Sequence, residues 1–213
     1  MKLRFSPMSP YVRKVTVTAI ETGLKNHIDR IDTNVWAADT SIGDDNPIGK
    51  VPTLITDGGE VLHDSSVICE YLDSLHDGAK LFPAAGGARW AALRLQDLGN
   101  GLAEAGTRRL LEQRIGGDNA RKGWIARNNK IMLRCFSVLD DEVAGWGDDF
   151  KIGQITVACA TGWIDFRFPD LTWRADNPAM AAWFEKISGR RSMKETMPEI
   201  LPAFTEMDPS FSS

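Results

Sequence analysis

Ser9 stands where a side-chain hydroxyl could hold an anion. The motif Ser6-Pro7-Met8-Ser9-Pro10 follows a strand-like segment and precedes a helix-like one, and a proline at the first helical position makes Ser9 the expected N-cap. The simpler interpretation is that Ser9 only caps this helix. Alternatively, its hydroxyl, the exposed amides and the positive end of the helix dipole form an anion pocket suited to a thiolate.

Two later stretches place polar groups at the starts of predicted elements. Residues 46–54 contain Val51-Pro52 at the start of a strand-like segment, and residues 63–68 contain Asp64-Ser65 directly before a helix-like one. Taken alone, Asp64 and Ser65 are ordinary N-cap residues. Their relation to Ser9 depends on the fold that positions them.

Other catalytic chemistries lack their usual residues. No motif places any of the three histidines as a base for a serine nucleophile, which disfavours a Ser-His-Asp hydrolase. There is no P-loop, no G-x-G-x-x-G, no C-x-x-C and no His or Cys pair at ligand spacing, so neither a metal nor a nucleotide is implied. Cys69, Cys135 and Cys159 are widely spaced in apolar helical contexts, and we expect free core thiols.

Composition narrows the class of protein. The chain has 213 residues, of which 43% are hydrophobic, enough for one large domain or two modest ones. A net charge of -4 disfavours nucleic acid and anionic membranes as partners, since both require clustered Lys and Arg. No apolar run reaches the roughly 18 residues of a membrane span, and no secretory leader is expected. The expected location is cytoplasmic.

Alternating strand-like and helix-like patterns predict a small mixed unit over residues 1–78. The strands are expected at residues 2–5, 27–33, 52–56 and 60–63, the last two joined by the hairpin motif Asp57-Gly58-Gly59, and the helices at residues 10–23 and 64–78. The predicted order is therefore β, α, β, irregular, β, β, α.

The remainder of the chain is predicted to be all helical. Gly, Ala and Pro dominate residues 79–87, which is typical of an interdomain linker, and residues 88–213 form the second domain. Apolar residues recur at steps of three and four along residues 91–105 and 125–143, and shorter helices follow. Lys151 is a poor cap for one of these, whereas Asn177-Pro178 is a good start for another. The fold class is α+β.

The N-terminal unit resembles the thioredoxin-like domain of the cytosolic glutathione S-transferases (GSTs). In that family a Val-Pro bond before the third strand is cis and an acidic-Ser pair opens the third helix, and the spacing from Ser9 through Val51-Pro52 to Asp64-Ser65 is similar. Residues 152–155 and 165–169 resemble the helical domain of bacterial members. The resemblance covers essentially the whole chain and implies a thioredoxin-like domain followed by an all-α bundle, a homodimer, and glutathione as co-substrate.

The resemblance also implies a role for each residue of the glutathione site. The backbone of Val51 would pair with the cysteinyl backbone of glutathione, with the cis bond before Pro52 turning that edge toward the ligand. Asp64 would meet the α-amino group of the γ-glutamyl end, and Ser65 its α-carboxylate. Lys50 would approach the glycyl carboxylate, although simple solvation explains an exposed lysine equally well.

In the implied mechanism, Ser9 donates a hydrogen bond to the glutathione sulfur and stabilises the thiolate, which attacks a small electrophile. Ser9 keeps its own proton. Ser6 is a second candidate hydroxyl, less favoured because it is farther from Pro10 and the helix start. Relatives with Cys at the position of Ser9 form mixed disulfides, so serine disfavours thiol exchange.

The electrophile pocket is the least defined part of the prediction. Its candidate residues are Tyr11, Trp36, Ala105, Arg108, Arg109 and Trp163, for each of which packing or solvation is the simpler interpretation. A detoxifying transferase is the leading hypothesis. The alternatives are a glutathione-binding or ligand-carrying protein with little turnover, and a dimeric scaffold that does not bind glutathione.

Overall fold

The N-terminal part of the structure, a computed structural model that describes residues 1–212, is a mixed sheet with helices packed on it. Its elements are β1 (Lys2–Phe5), α1 (Pro10–Glu21), β2 (Asp29–Asp32), α2 (Ile42–Asp45), β3 (Thr53–Ile55), β4 (Val61–Leu62) and α3 (Ser65–Ser74). The sheet order is β2-β1-β3-β4, with β2 parallel to β1 and the other two pairings antiparallel. The predicted order of elements is confirmed, and α2 lies in the segment predicted to be irregular.

The register of the sheet brings three separate segments to one end. Arg4 of β1 faces Thr53 of β3, and Leu54 of β3 faces Leu62 of β4. Because these pairings are antiparallel, the end of β1, the start of β3 and the end of β4 lie side by side. The β1–α1 loop, residues 51–52 and residues 63–64 are therefore neighbours.

The C-terminal part is helical. It comprises α4 (Gly86–Gly116), α5 (Lys122–Val143), α6 (Ile152–Arg167), α7 (Pro178–Ser188) and α8 (Arg191–Lys194). Helix α6 is the centre of this bundle, with α4 packed along it, and its residues 152–161 are all buried. Helix α4 begins at Gly86, so the last two residues of the linker predicted at residues 79–87 belong to this helix. The predicted α+β fold is thus confirmed.

Helix α1 joins the two parts of the molecule. It packs against α3 on one side and α6 on the other, so that residues 12–19 are all buried, including the charged Arg13 and Lys14. A helix between two layers has no continuous solvated face. The loop that precedes α1 is consequently held by both halves of the chain.

The start of α7 differs from the sequence expectation, whereas the start of α6 agrees with it. Asn177 occupies the N-cap position of α7, but its side chain donates to the carbonyl of Trp173 instead of capping. The N–H of Met180 in that first turn donates to Asp140 of α5 at 2.8 Å. Lys151 is the N-cap of α6 and makes no side-chain cap bond. A partner from another helix replaces the local cap in α7.

Two further expectations concern the cysteines and the membrane. All three cysteines are free, with Cys69 and Cys159 buried and Cys135 half-buried, as predicted. In the part of the chain that the structure describes, no helix combines the length and apolar character needed to cross a membrane.

Candidate functional site

Ser9 caps α1 and still has a proton to donate. Its backbone is extended, with φ -96° and ψ 124°, and its Oγ accepts a hydrogen bond from the N–H of Val12 at 3.2 Å. Its carbonyl accepts from Arg13 N–H at 3.0 Å, closing the first helical turn. Within residues 1–212 no acceptor takes the hydroxyl hydrogen of Ser9. The predicted cap is confirmed, and it leaves the donor function of Ser9 unused.

The loop that carries Ser9 is fixed from the helical part. The indole Nε1 of Trp163 on α6 donates to the carbonyl of Met8 at 2.8 Å, and Ser9 N–H donates to the carbonyl of Ser6 at 3.2 Å. The buried Ser6 lines a cavity of about 230 Å³ between α1, β2 and residues 195–204, and Ser9 does not line it. The two candidate hydroxyls therefore have different surroundings.

The segment before β3 is organised by one buried side chain. The amide of Asn46 donates to the carbonyl of Lys50 at 3.0 Å and to Oγ1 of Thr53 at 2.9 Å. The Val51-Pro52 peptide is cis, as predicted. In the described part of the chain, neither the N–H nor the C=O of Val51 has a hydrogen-bond partner. Val51 thus offers both backbone groups, and the Lys50 side chain beside it is exposed.

The first turn of α3 also has unused donors. Asp64 is the N-cap, and its Oδ1 accepts from the N–H of Ser66 at 2.8 Å. The buried Ser65 has no partner among residues 1–212 for its N–H or its hydroxyl. A carboxylate at this helix end would be stabilised by these donors and by the helix dipole.

Tyr11 lies beside this end of the sheet, facing α4. Burial and then the charge of Glu104 raise the pKa of Tyr11 to about 12, with Thr107, Arg108 and Asp64 also close enough to act on it. Its phenol therefore stays protonated at neutral pH and can donate a hydrogen bond. Arg108 is exposed and pairs with Glu104 at 2.6 Å. Tyr11 and Arg108 are thus brought together.

The remaining pocket candidates lie elsewhere or beneath the surface. Trp163 and Ala105 are only 2% and 3% exposed. The buried Arg109 pairs with Asp170 at 2.5 Å and covers the ring of Phe168. Trp36 contacts the C-terminal segment, where its carbonyl accepts from the N–H of residue 208 at 2.8 Å. Of these four side chains, only Trp163 is bonded to the Ser9 loop within residues 1–212, through the carbonyl of Met8.

Several polar residues near the site were not foreseen from the sequence. Glu104 and Thr107 line the Tyr11 side of α4, and Glu104 could have been found one turn before Arg108. Lys14 and Asn100 both contact Ser66 behind the first turn of α3. A signal for the burial of Lys14 was present, since residues 15–20 of its helix carry no charge.

Comparisons with known proteins agree with this geometry. The models for the glutathione S-transferase N-terminal and C-terminal domains match residues 8–75 and 122–186. A glutathione transferase family member from Pseudomonas fluorescens Pf-5, solved with bound glutathione, is 40% identical with a TM-score of 0.86, over 93% of this chain and 99% of that chain. A glutathione S-transferase from Methylobacillus flagellatus KT, solved with glutathione bound, is 30% identical with a TM-score of 0.87, over 93% of this chain and 99% of that chain.

A curated relative covers almost the same length. The uncharacterized GST-like protein YibF from Escherichia coli (strain K12) is 28% identical over 201 residues, which is 93% of this chain and 98% of that protein. The matched regions include the β1–α1 loop from Met8, residues 51–52 and the start of α3. With a thioredoxin-like sheet, a helical C-terminal part and these matches, the chain belongs to the glutathione S-transferase family.

Proposed function

We propose that this protein transfers the glutathione thiolate to small electrophiles and that Ser9 stabilises the thiolate. The observation that carries the proposal is the free hydroxyl donor of Ser9 at the positive end of α1. It lies in the loop beside residues 51–52 and 63–64, where the sheet register brings the other predicted glutathione contacts. Glutathione bound in the two solved relatives supports the choice of ligand.

Each end of glutathione has complementary groups. The unpaired backbone of Val51 can accept and donate to the cysteinyl residue as an added strand does. The free donors of Ser65 suit the γ-glutamyl carboxylate, and the carboxylate of Asp64 suits the adjacent ammonium group. Lys50, exposed at the loop, suits the glycyl carboxylate.

The energy required is modest. A free thiol has a pKa near 8.5, so that only a few per cent is ionised at neutral pH, and lowering the pKa by about two units takes roughly 2.7 kcal/mol. One hydrogen bond to a charged group contributes about 1.5–3 kcal/mol, and a helix N-terminus about 0.3–1 kcal/mol. The sulfur then forms a bond to the electrophilic carbon. In a substitution the displaced group leaves with its electron pair, and in an addition to an activated alkene the π bond breaks and the resulting carbanion takes a proton from water. Ser9 stays protonated throughout.

The electrophile would bind between α1 and α4. The protonated phenol of Tyr11 and the guanidinium of Arg108 favour a substrate with a hydrogen-bond acceptor or a negative charge near the reacting carbon. The buried Ala105 would support the pocket wall. The buried Trp163 would support the loop that carries Ser9. Trp36 would contribute from the side of the C-terminal segment.

We further propose a cytoplasmic homodimer. Four large apolar side chains are exposed on β4, α3 and α4, namely Val61 at 38%, Val67 at 48%, Trp90 at 69% and Ile115 at 38%. Exposed aromatic side chains such as that of Trp90 are enriched at subunit contacts. Three free thiols suit a reducing compartment. Sedimentation at low protein concentration, with Trp90→Asp as the disrupted form, tests the dimer, and a parent protein that sediments as a monomer would contradict it.

The decisive experiment combines binding and ionisation. Calorimetry measures the affinity for glutathione, ultraviolet absorbance follows the ionisation of its thiol in the complex, and a panel of aryl halides and activated alkenes measures conjugation. We expect binding, a thiol pKa below that of free glutathione, and conjugation. Binding without conjugation of any electrophile would favour a carrier protein, and no binding would refute both.

A further inference from the structure

Lys14 is a charged side chain buried almost completely inside the protein. It lies on α1 and is only 1% exposed. Its Nζ donates to Oγ of Ser66 at 3.3 Å and to Oδ1 of Asn100 at 3.0 Å. No carboxylate within residues 1–212 forms an ion pair with it. Among the residues that the structure describes, the direct partners of the Lys14 ammonium are therefore two neutral oxygens.

Such a charge is costly unless an anion compensates it. Removing an ammonium group from water costs several kcal/mol, and neutral acceptors recover only part of that. Burial accordingly lowers the pKa of Lys14, while Cys69, Asp64 and Cys159 oppose the shift. Burial raises the pKa of both thiols, that of Cys159 to about 12, so both are neutral at physiological pH. Asp64 is the one anionic group among these three.

The position of this charge connects it to the first turn of α3. Ser66, which Lys14 contacts, is the second residue of α3, and its N–H donates to Asp64 at 2.8 Å. The amide of Asn100 on α4 donates to the same Ser66 oxygen at 3.3 Å. The ammonium therefore lies behind a helix N-terminus that already carries about half a positive charge. The ammonium and the helix N-terminus together attract an anion more strongly than the helix N-terminus alone would.

We propose that Lys14 is a positioning residue for glutathione. Lys14 acts through Ser66 and adds positive charge behind the first turn of α3, and the γ-glutamyl α-carboxylate of glutathione neutralises that charge. The inference rests on the proposed function, because it takes glutathione as the ligand at α3. Lys14 itself does not contact the ligand. Asn100 holds the ammonium in place from α4.

Binding of a carboxylate at α3 should also change the protonation of Lys14. A carboxylate bound at α3 favours the ammonium form of Lys14, which burial disfavours in the free protein. Binding of the ligand should therefore take up a fraction of a proton at a pH where Lys14 is partly neutral. The groups that face Lys14 are Asp64 and Cys69 on α3, Cys159 on α6 and the uncharged Asn100 on α4. S-methylglutathione is the appropriate probe, because it has no thiol whose ionisation would release protons.

The test is a thermodynamic cycle with Lys14→Met and two ligands. These are S-methylglutathione and its analogue without the γ-glutamyl α-carboxylate, each titrated by calorimetry into the full-length protein. We expect Lys14→Met to weaken S-methylglutathione about tenfold and the analogue by less than twofold. Equal losses for both ligands would show a merely structural role and overturn the proposal, as would unchanged affinity for S-methylglutathione.

Lys14→Arg provides the control that keeps the charge and gives an answer even if Lys14→Met does not fold. Arginine does not titrate in this range, so affinity for S-methylglutathione should persist while proton uptake, measured in buffers of different ionisation enthalpy, disappears. Proton uptake equal to that of the parent would overturn the proposal. A parent protein that binds S-methylglutathione but shows no dependence on Lys14 refutes this inference alone, whereas a parent that binds neither ligand refutes the proposed function as well.

Discussion

Replacement of Ser9 by alanine should have two separable effects. The variant loses the cap bond to Val12 N–H, which is 3.2 Å long, and this costs about 1 kcal/mol of stability, or roughly 2–4 °C in the melting temperature of a chain of this size. It also loses the donor to the thiolate, worth about 1.5–3 kcal/mol. At 1.36 kcal/mol per unit, the pKa of the bound thiol should rise by about one to two units.

Matched variants at the same position separate the two effects. Ser9→Gly keeps most of the cap energy, because glycine is tolerated at the N-cap at a cost of a few tenths of a kcal/mol, but it has no hydroxyl. It should therefore show the full rise in thiol pKa with a smaller loss of stability than Ser9→Ala. Ser9→Thr retains both cap and donor. Ser6→Ala removes the other candidate hydroxyl, which lines a different cavity, and should leave the thiol pKa unchanged.

The assay is the pH dependence of conjugation together with the ultraviolet titration of bound glutathione. Below the thiol pKa, Ser9→Gly should be about 10- to 100-fold slower than the parent, because the thiolate fraction falls by that factor. At high pH, where both complexes are ionised, the rates should converge. A bound-thiol pKa that is the same in Ser9→Gly and the parent would refute the role of Ser9, and a shift in Ser6→Ala would transfer it to Ser6.

Three further predictions concern the framework of the site. Lys151→Ser should raise stability toward urea by about 1 kcal/mol, because it supplies the cap oxygen that α6 lacks; an unchanged unfolding midpoint would contradict this. Asp73→Ala should lower stability by about 3 kcal/mol, because its buried carboxylate accepts two backbone N–H groups at 2.8 and 3.1 Å, and Asp73→Asn should lose less. Gly106→Ala places a Cβ 2.7 Å from the Trp163 ring, so it should lower the free energy of unfolding by about 1–3 kcal/mol and weaken glutathione binding. The control Gly101→Ala, with open space at its Cβ, should do neither. Equal behaviour of the two glycine variants would argue against the packing explanation.

The secondary structure could largely be predicted because its patterns are local. The strand Lys2–Phe5 was predicted with its observed bounds, and the helix predicted at residues 10–23 ends two residues earlier, at Glu21. The predicted hairpin strands are longer than the observed ones, and β4 has only two residues. Periodicity locates an element, but pairing with neighbours decides where a strand ends.

Tertiary contacts explain what the sequence did not reveal. The side chain of Asn177 has the chemistry of a cap, but Asp140, 37 positions earlier along the chain, caps α7 because α5 and α7 pack together. The uncharged residues 15–20 indicate that α1 is covered, but they do not show which elements bury Lys14. Its burial results from α1 being enclosed by α3 and α6. Which side of a helix is covered depends on residues far away in the chain.

In the candidate site, features that depend on short motifs could be predicted from the sequence, and contacts between helices could not. The cap at Ser9 and the cis bond at Val51-Pro52 are confirmed, because both depend on short motifs. The pairing of Tyr11 with Glu104 and Thr107 depends on how α1 crosses α4, which no local motif encodes. The roles of Ser9, Val51, Asp64 and Ser65 toward glutathione stay predictions until the binding experiments are done.

The bond from Trp163 to the carbonyl of Met8 limits how far this protein can be divided into modules. All the proposed glutathione contacts lie before Gly86, yet the loop that presents Ser9 is anchored from α6, some 150 positions later in the chain. A chimera that grafts a different helical half onto residues 1–85 would keep every proposed contact and lose this anchor. Shuffling of halves between family members is therefore a route to retuned thiol reactivity, with no change in the residues that touch the tripeptide.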